Sequence, residues 1–257
     1  MKKWSLDALY TSFESKEFQD SLVQIETLIT ELTEFAVKEF NDTSNALSKL
    51  KTYLNKSEVL RIVLSKSYVF CMLTISTDAM NEEARKYTNK MQMLSSKTTL
   101  ASTKFQKWVP TIENLDELIE QDEEIKEVEF FLKRISNGAK YLLSDAEEIV
   151  ISKLTQTGSS AWSQLQGELT STLKVDYDGK EITLSEVRNL SSDKSQEVRK
   201  KAYEAELAAY PKIAQGVAYA LNGVKGEVNT ICEFRGFKSA LDQAIYQSRM
   251  EKSTLDA

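Results

Sequence analysis

Apolar residues recur every three or four positions along most of this chain, the spacing of a buried stripe on an α-helix. The longest run lies between Ser192 and Gly236. There Val198, Ala202, Ala205, Ala209, Ile213, Val217, Leu221, Val224, Val228 and Ile231 fall on one stripe. Ser192 or Asp193 offers a side-chain oxygen to the free N–H groups at its start, and Gly236 can take the left-handed conformation that ends it. Unbroken, the helix would be ~65 Å long. Pro211 interrupts it, because proline has no N–H for the carbonyl of Leu207 and its ring crowds that group. This predicts a kink near Tyr210, or two helices meeting there. Past the break, Gly216, Ala220 and Gly223 share one side at i, i+4 and i+7. A mid-helix glycine costs about 1 kcal/mol against alanine, so these positions serve either close helix packing or backbone lining a ligand channel.

Upstream the same period predicts three long antiparallel helices with short connections. An apolar cluster, Trp4, Leu6, Leu9 and Tyr10, precedes them as an arm packed across the body. The first helix starts at Ser15 and runs through Phe18, Leu22, Ile25, Ile29, Leu32 and Ala36 to about Phe40. The second starts near Thr43, carries Leu47, Leu50, Leu54, Leu60 and Leu64, and extends through Phe70 to Ile75. The third spans Asn81 to about Trp108 and is stopped by Val109-Pro110. Met91 and Met93 on it read as gap-filling core.

The period changes once. Leu173 to Tyr177 alternates, Asp178-Gly179 is a two-residue turn, and Ile182 and Leu184 alternate again, which predicts a β-hairpin at about residues 173–184. A two-residue loop sets Val175 against Ile182 and Asp176 against Glu181. That like-charge pair implies a solvated face or a cationic neighbour. Ser144 and Glu147 form a capping box for a helix closed at Gly158, Ser159 or Ser160 caps the next, and Ser185 caps a short helix to Leu190. Ser239 to Tyr246 is a short amphipathic piece, and residues 253–257 read as the start of a further helix, cut off. The fold class is mostly α: long antiparallel helices with one small hairpin. Two regions are expected, a helical hairpin over residues 1–110 and a region over 111–257 that holds the β-hairpin and the kinked helix.

Composition narrows the chemistry. The 257 residues include 41% hydrophobic and 28% charged residues, two prolines, eight glycines and a formal charge of −6. The acidic balance argues against nucleic acid as a partner, since displacing counterions needs a basic face. Arg199-Lys200-Lys201 is flanked by Glu197, Glu204 and Glu206 and reads as a solvated helix face. The N-terminus has no apolar run of the signal-peptide kind, and no window approaches 18 uninterrupted apolar residues, so no membrane span is expected. Cys71 and Cys232 read as two reduced thiols of a cytoplasmic protein.

The histidine count is zero. That removes the Ser-His-Asp triad, the Cys-His pair and His-based zinc sites. No phosphate-binding glycine loop occurs. Residues 113–129 hold nine acids and one base, with Glu120, Glu124 and Glu127 on one helical face. A carboxylate metal site in a bundle also needs Glu-x-x-His pairs, and a calcium loop needs Asp-x-Asp-x-Asp-Gly; neither is present, so the segment reads as solvated surface. Catalytic, cofactor-binding and metal-binding residues are therefore expected to be none in this chain.

Five stretches in collinear order carry a family resemblance: WSLDALYTSFESKEFQ (Trp4 to Gln19), LLSDAEEIVISKLTQTGSSAWSQL (Leu142 to Leu165, with Gly158, Ala161 and Trp162), DYDGKEITL, LSSDKSQEVRKKAYEA (Leu190 to Ala205) and CEFRGFKSALDQAI (Cys232 to Ile245). Together they resemble the N-terminal region of the oligoendopeptidase F group of thimet-type zinc metallopeptidases. The resemblance implies a mostly α-helical, two-lobed enzyme that cuts short peptides in a deep channel. Its zinc sits on a helix bearing H-E-x-x-H, whose glutamate activates the metal-bound water. None of those residues is present here, so the chain is expected to be an N-terminal lobe that walls the channel. Zinc is then implied for the missing half, and short peptides and the missing catalytic lobe are the expected partners. The alternative is a free-standing helical module, derived from such a peptidase, that binds peptides or proteins without cleaving them.

Overall fold

The computed structural model describes residues 5–257 and divides them into two compact units, the first ending at Lys153 and the second spanning Leu154–Ala257. The fold is mostly α-helical with one two-stranded sheet. Trp4 of the predicted arm lies outside the described residues.

In the first unit, the arm is fastened by aromatic packing. Tyr10 and Phe13 are buried, and both rings meet Phe18 and Phe70 edge-on at centroid distances of 4.9–5.5 Å. The Tyr10 hydroxyl and the Ser67 hydroxyl lie 3.0 Å apart, and Ser67 lies 3.1 Å from Ser21. Helix α1 (Lys16–Glu39) starts where Ser15 Oγ accepts from the Phe18 N–H. It packs on α2 (Ala46–Thr77). The second helix starts later than Thr43 because Asn45 takes a left-handed conformation, φ 51°, that asparagine tolerates. Just before it, Asp42 locks the corner. Its carboxylate accepts from Lys49 Nζ at 2.9 Å, and its carbonyl accepts from Trp108 Nε1 at 2.8 Å.

The predicted third helix is two: α3 (Glu82–Lys97) and α4 (Thr99–Trp108). The run Ser95-Ser96-Lys97-Thr98-Thr99 explains the break. Thr98 Oγ1 donates to the Ser95 carbonyl at 2.7 Å and Thr99 Oγ1 to Ser96 at 2.8 Å, competing with the helical ladder. A 3-10 turn over Val109–Thr111 carries Pro110 and ends the run.

The acidic stretch folds as α5 (Leu115–Gln121) and α6 (Glu123–Lys126), followed by α7 (Glu129–Gly138). Leu115, Ile119, Ile125 and Leu132 are buried in the same core as Leu50, Phe105 and Trp108. That shared core is why the compact division lies at Lys153/Leu154, downstream of the sequence-based boundary at 110/111.

Helix α2 also departs from the sequence reading on membranes. By length and composition it is long and apolar enough to cross one, and 22% of its most apolar window is buried.

Helix α8 (Asp145–Thr157), whose last four residues open the second unit, begins in the predicted capping box: Glu147 N–H donates to Ser144 Oγ at 3.2 Å and Ser144 N–H to Glu147 Oε2 at 2.8 Å. There follow α9 (Ser159–Thr172), strands β1 (Lys174–Tyr177) and β2 (Lys180–Thr183), and α10 (Leu184–Asn189). Thr183, not Ser185, caps α10, in a box with Glu186. The long helical run is two helices, α11 (Gln196–Ala209) and α12 (Ala214–Phe234), parted by a 3-10 turn that contains Pro211. Gly236 closes it at φ 73°. Helices α13 (Ala240–Gln247) and α14 (Lys252–Asp256) complete the unit.

Candidate functional site

Of the five stretches that carry the family resemblance, the first belongs to the first unit and the other four lie wholly or partly in the second, on α8, α9, the hairpin, α11, the end of α12 and α13. The small-residue side of α12 lies against α9, the most extensive helix contact in this unit. A Cβ at Gly223 would collide with the Trp162 indole, and one at Gly216 would come within 2.8 Å of Leu169 Cδ1. Ala220 between them is buried. These glycines therefore serve close helix packing, and no ligand channel is needed to explain them. The predicted stripe is right in phase but not at Leu221, which is 55% exposed; its neighbour Ala220 takes the packed position.

Glu227 is the most connected side chain here, and the spacing of apolar residues gave no sign of it. From α12 its carboxylate accepts from Ser159 N–H at 2.5 Å, Ser159 Oγ at 2.8 Å and Thr155 Oγ1 at 2.7 Å. It therefore caps α9 from another helix, where the dipole favours negative charge. Serine at 159 or 160 does not act as the cap; Gly158 holds that position. Its lack of a side chain leaves room for the carboxylate, which a Cβ would strike. Burial pulls the Glu227 carboxyl upward, but these three hydrogen bonds outweigh it and hold the group below 4.5. All three donors bind an ionised acceptor, which makes this a structural clamp.

The hairpin has the predicted register, with Val175 opposite Ile182 and Asp176 opposite Glu181. Its buried face, Leu173, Val175 and Leu184, packs with Val187, Ala202 and Ala209. A cationic neighbour does exist: Lys201 of α11. It pairs with Asp178 of the turn, not with Asp176, and lies 5.8 Å from the Tyr177 ring centre. Asp176 instead accepts from the Gly179 N–H at 3.0 Å. On the other side Lys212 Nζ donates to the Lys174 carbonyl at 2.9 Å. Arg188 donates to Glu206 and to the Tyr210 hydroxyl, both at 2.8 Å, and Tyr210 also donates to Glu206.

In the first unit, the acidic stretch is tied down by lysines. Lys51 Nζ lies 2.9 Å from both Asp122 and Glu124, Lys126 lies 2.7 Å from Glu120, and Lys133 lies 2.6 Å from Glu129. Glu120, Glu124 and Glu127 share no helix, since Asp122 breaks the segment by capping α6. Cys71 and Cys232 are buried free thiols, and burial pushes the Cys71 thiol up to about 11, away from the range of a reactive thiolate. Met91 is buried as core, whereas Met93 is 58% exposed.

Neither unit fits a zinc ion. Among the described residues no three His, Cys, Asp or Glu side chains are grouped to hold a metal, and the sequence has no histidine at all.

Comparisons with known proteins converge. A family model described as Oligopeptidase F matches residues 111–174. Oligopeptidase PepF of Bacillus subtilis (strain 168) is 24% identical over 98% of this chain and 38% of its own length. The oligoendopeptidase F homolog of Borreliella burgdorferi is 22% identical over 97% of this chain and 42% of its own. The chain thus spans about two-fifths of these curated relatives. The crystal structure of oligoendopeptidase-F from Enterococcus faecium superposes with a TM-score of 0.75 at 15% identity, over 94% of this chain and 48% of that one. Likeness at that identity shows a shared fold. The family model, the curated relatives and the shared fold agree: the chain is similar to part of oligoendopeptidase F-type proteins.

Proposed function

We propose that this chain is the N-terminal lobe of a zinc-dependent oligopeptidase. It walls the channel in which short peptides are cut, and the residues that bind zinc and break the bond lie outside it. The observation that carries this reading is the match over nearly the whole chain to only two-fifths of each curated relative, in a chain that has no histidine. In such an enzyme the zinc would polarise the scissile carbonyl and supply the hydrolytic water. Among the described residues no three ligand side chains are grouped to hold it, so the part assigned to this chain is shape: helices that narrow the channel and exclude folded proteins.

The reading frame tests this. Sequencing past Ala257 in the gene is expected to show an H-E-x-x-H helix with a further glutamate downstream, and the full protein should cleave short peptides in a zinc-dependent manner. A stop codon directly after Ala257 would reject the lobe and favour the free-standing binding module.

A further inference from the structure

At an Asn-Gly or Asp-Gly step the backbone can react with its own side chain. Glycine has no Cβ to hinder attack by its nitrogen on the preceding side-chain carbonyl. The chain has three such steps, Asn137-Gly138, Asp178-Gly179 and Asn222-Gly223, and the fold treats them differently.

Asn222-Gly223 lies in the interior of α12. In an α-helix each N–H is tied to the carbonyl four residues back, and the backbone torsion holds the next nitrogen away from the side-chain carbon. Ring closure therefore waits for the helix to open, and opening here also separates Gly223 from the Trp162 indole packed against it. Asp178-Gly179 is closed in another way. The Gly179 N–H donates to Asp176 Oδ1 at 3.0 Å, and the Asp178 carboxylate pairs with Lys201. An ionised carboxylate has no good leaving group and resists attack by nitrogen.

Asn137-Gly138 has neither protection. The Asn137 side chain is exposed, Gly138 is the last residue of α7, and the next three residues form a 3-10 turn, whose hydrogen bonds are poorer than those of an α-helix. No residue between Leu132 and Glu148 is buried, and local opening costs least where few side chains are packed.

We propose that Asn137 is a site of spontaneous deamidation. The Gly138 nitrogen gives up its proton and bonds to the Asn137 side-chain carbonyl carbon. The bond from that carbon to the amide nitrogen breaks, and ammonia leaves with the proton. Water then opens the cyclic imide at either carbonyl, giving aspartate or isoaspartate. The step needs no oxidant and no second protein. Its product sets a carboxylate at the C-terminal end of α7, where the helix dipole disfavours negative charge, so conversion loosens this segment further.

Peptide mass spectrometry on the 257-residue chain, held at mildly alkaline pH both folded and in urea, tests this. In the folded chain Asn137 is expected to convert faster than Asn222 by roughly tenfold or more, with isoaspartate among the products. In urea the two Asn-Gly steps should react at similar rates, because the fold no longer separates them. Asn137→Gln should abolish the early conversion and leave the circular dichroism spectrum unchanged, since the side chain is exposed. An Asn137 that stays an amide in the folded chain while the urea-unfolded chain converts overturns the proposal. So does a folded chain in which Asn222 or Asp178 reacts as fast, early conversion that survives Asn137→Gln, or a difference between the two Asn-Gly steps that persists in urea.

Discussion

Glu227 and the glycines opposite α9 show what single residues do in this fold. Truncating Glu227 to alanine removes a charged acceptor from three donors and is expected to cost about 2–3 kcal/mol. Glu227→Gln should cost less, since one amide oxygen still accepts. The carboxyl is held below its ordinary 4.5 in the folded chain, so its stabilisation is present above that value and is lost as pH falls through the lower, folded one. The gap between wild type and Glu227→Gln in urea midpoint should accordingly close in acid. The α12 glycines make a second series. Gly226 has open space around its missing Cβ, so Gly226→Ala should stabilise by about 1 kcal/mol through helix propensity. Gly223→Ala gains the same propensity but drives a methyl into Trp162, and overpacking of about 1–3 kcal/mol leaves it net destabilised. Urea unfolding checks both signs. Cys71, with its thiol pushed up to about 11, should resist iodoacetamide at neutral pH until the first unit is unfolded.

Among elements, those whose cause is local were legible in the sequence. The turn Asp178-Gly179 announces the hairpin, and both residues have positive φ, 56° and 72°. Gly179→Ala should destabilise by about 1 kcal/mol, measurable as faster amide exchange along β1 and β2. Pro211 announces the break between α11 and α12, and Ser15 and Ser144 announce their helices. What was missed depends on competition or on distant partners. Thr98 splits one predicted helix because a Ser/Thr run competes for carbonyls, which a count of apolar residues does not register. Thr183 wins the cap of α10 over Ser185 because Glu186 stands at the right offset for a box. Glu227 was invisible because its partners, Thr155 and Ser159, lie some seventy residues upstream, and no local pattern links them.

At the scale of the whole molecule, the most informative feature is a missing residue type. A mostly α-helical chain with one hairpin follows from period and turn signals, yet a helical fold hosts many functions. The proposed function rests on resemblance, and the absence of imidazole then limits which part of such an enzyme the proposal assigns to this chain. The boundary between the two compact units was not legible. It is set by Leu115, Ile119, Ile125 and Leu132 joining the core of the first helices, a long-range choice that an acidic, surface-like stretch conceals. The account rests on the claim that these residues shape a peptidase without performing its chemistry. A fluorogenic peptide-cleavage assay on the 257-residue chain, with and without added zinc, addresses that claim most directly. Turnover no greater than buffer alone is predicted in both conditions; zinc-dependent cleavage that co-purifies with this polypeptide would contradict it.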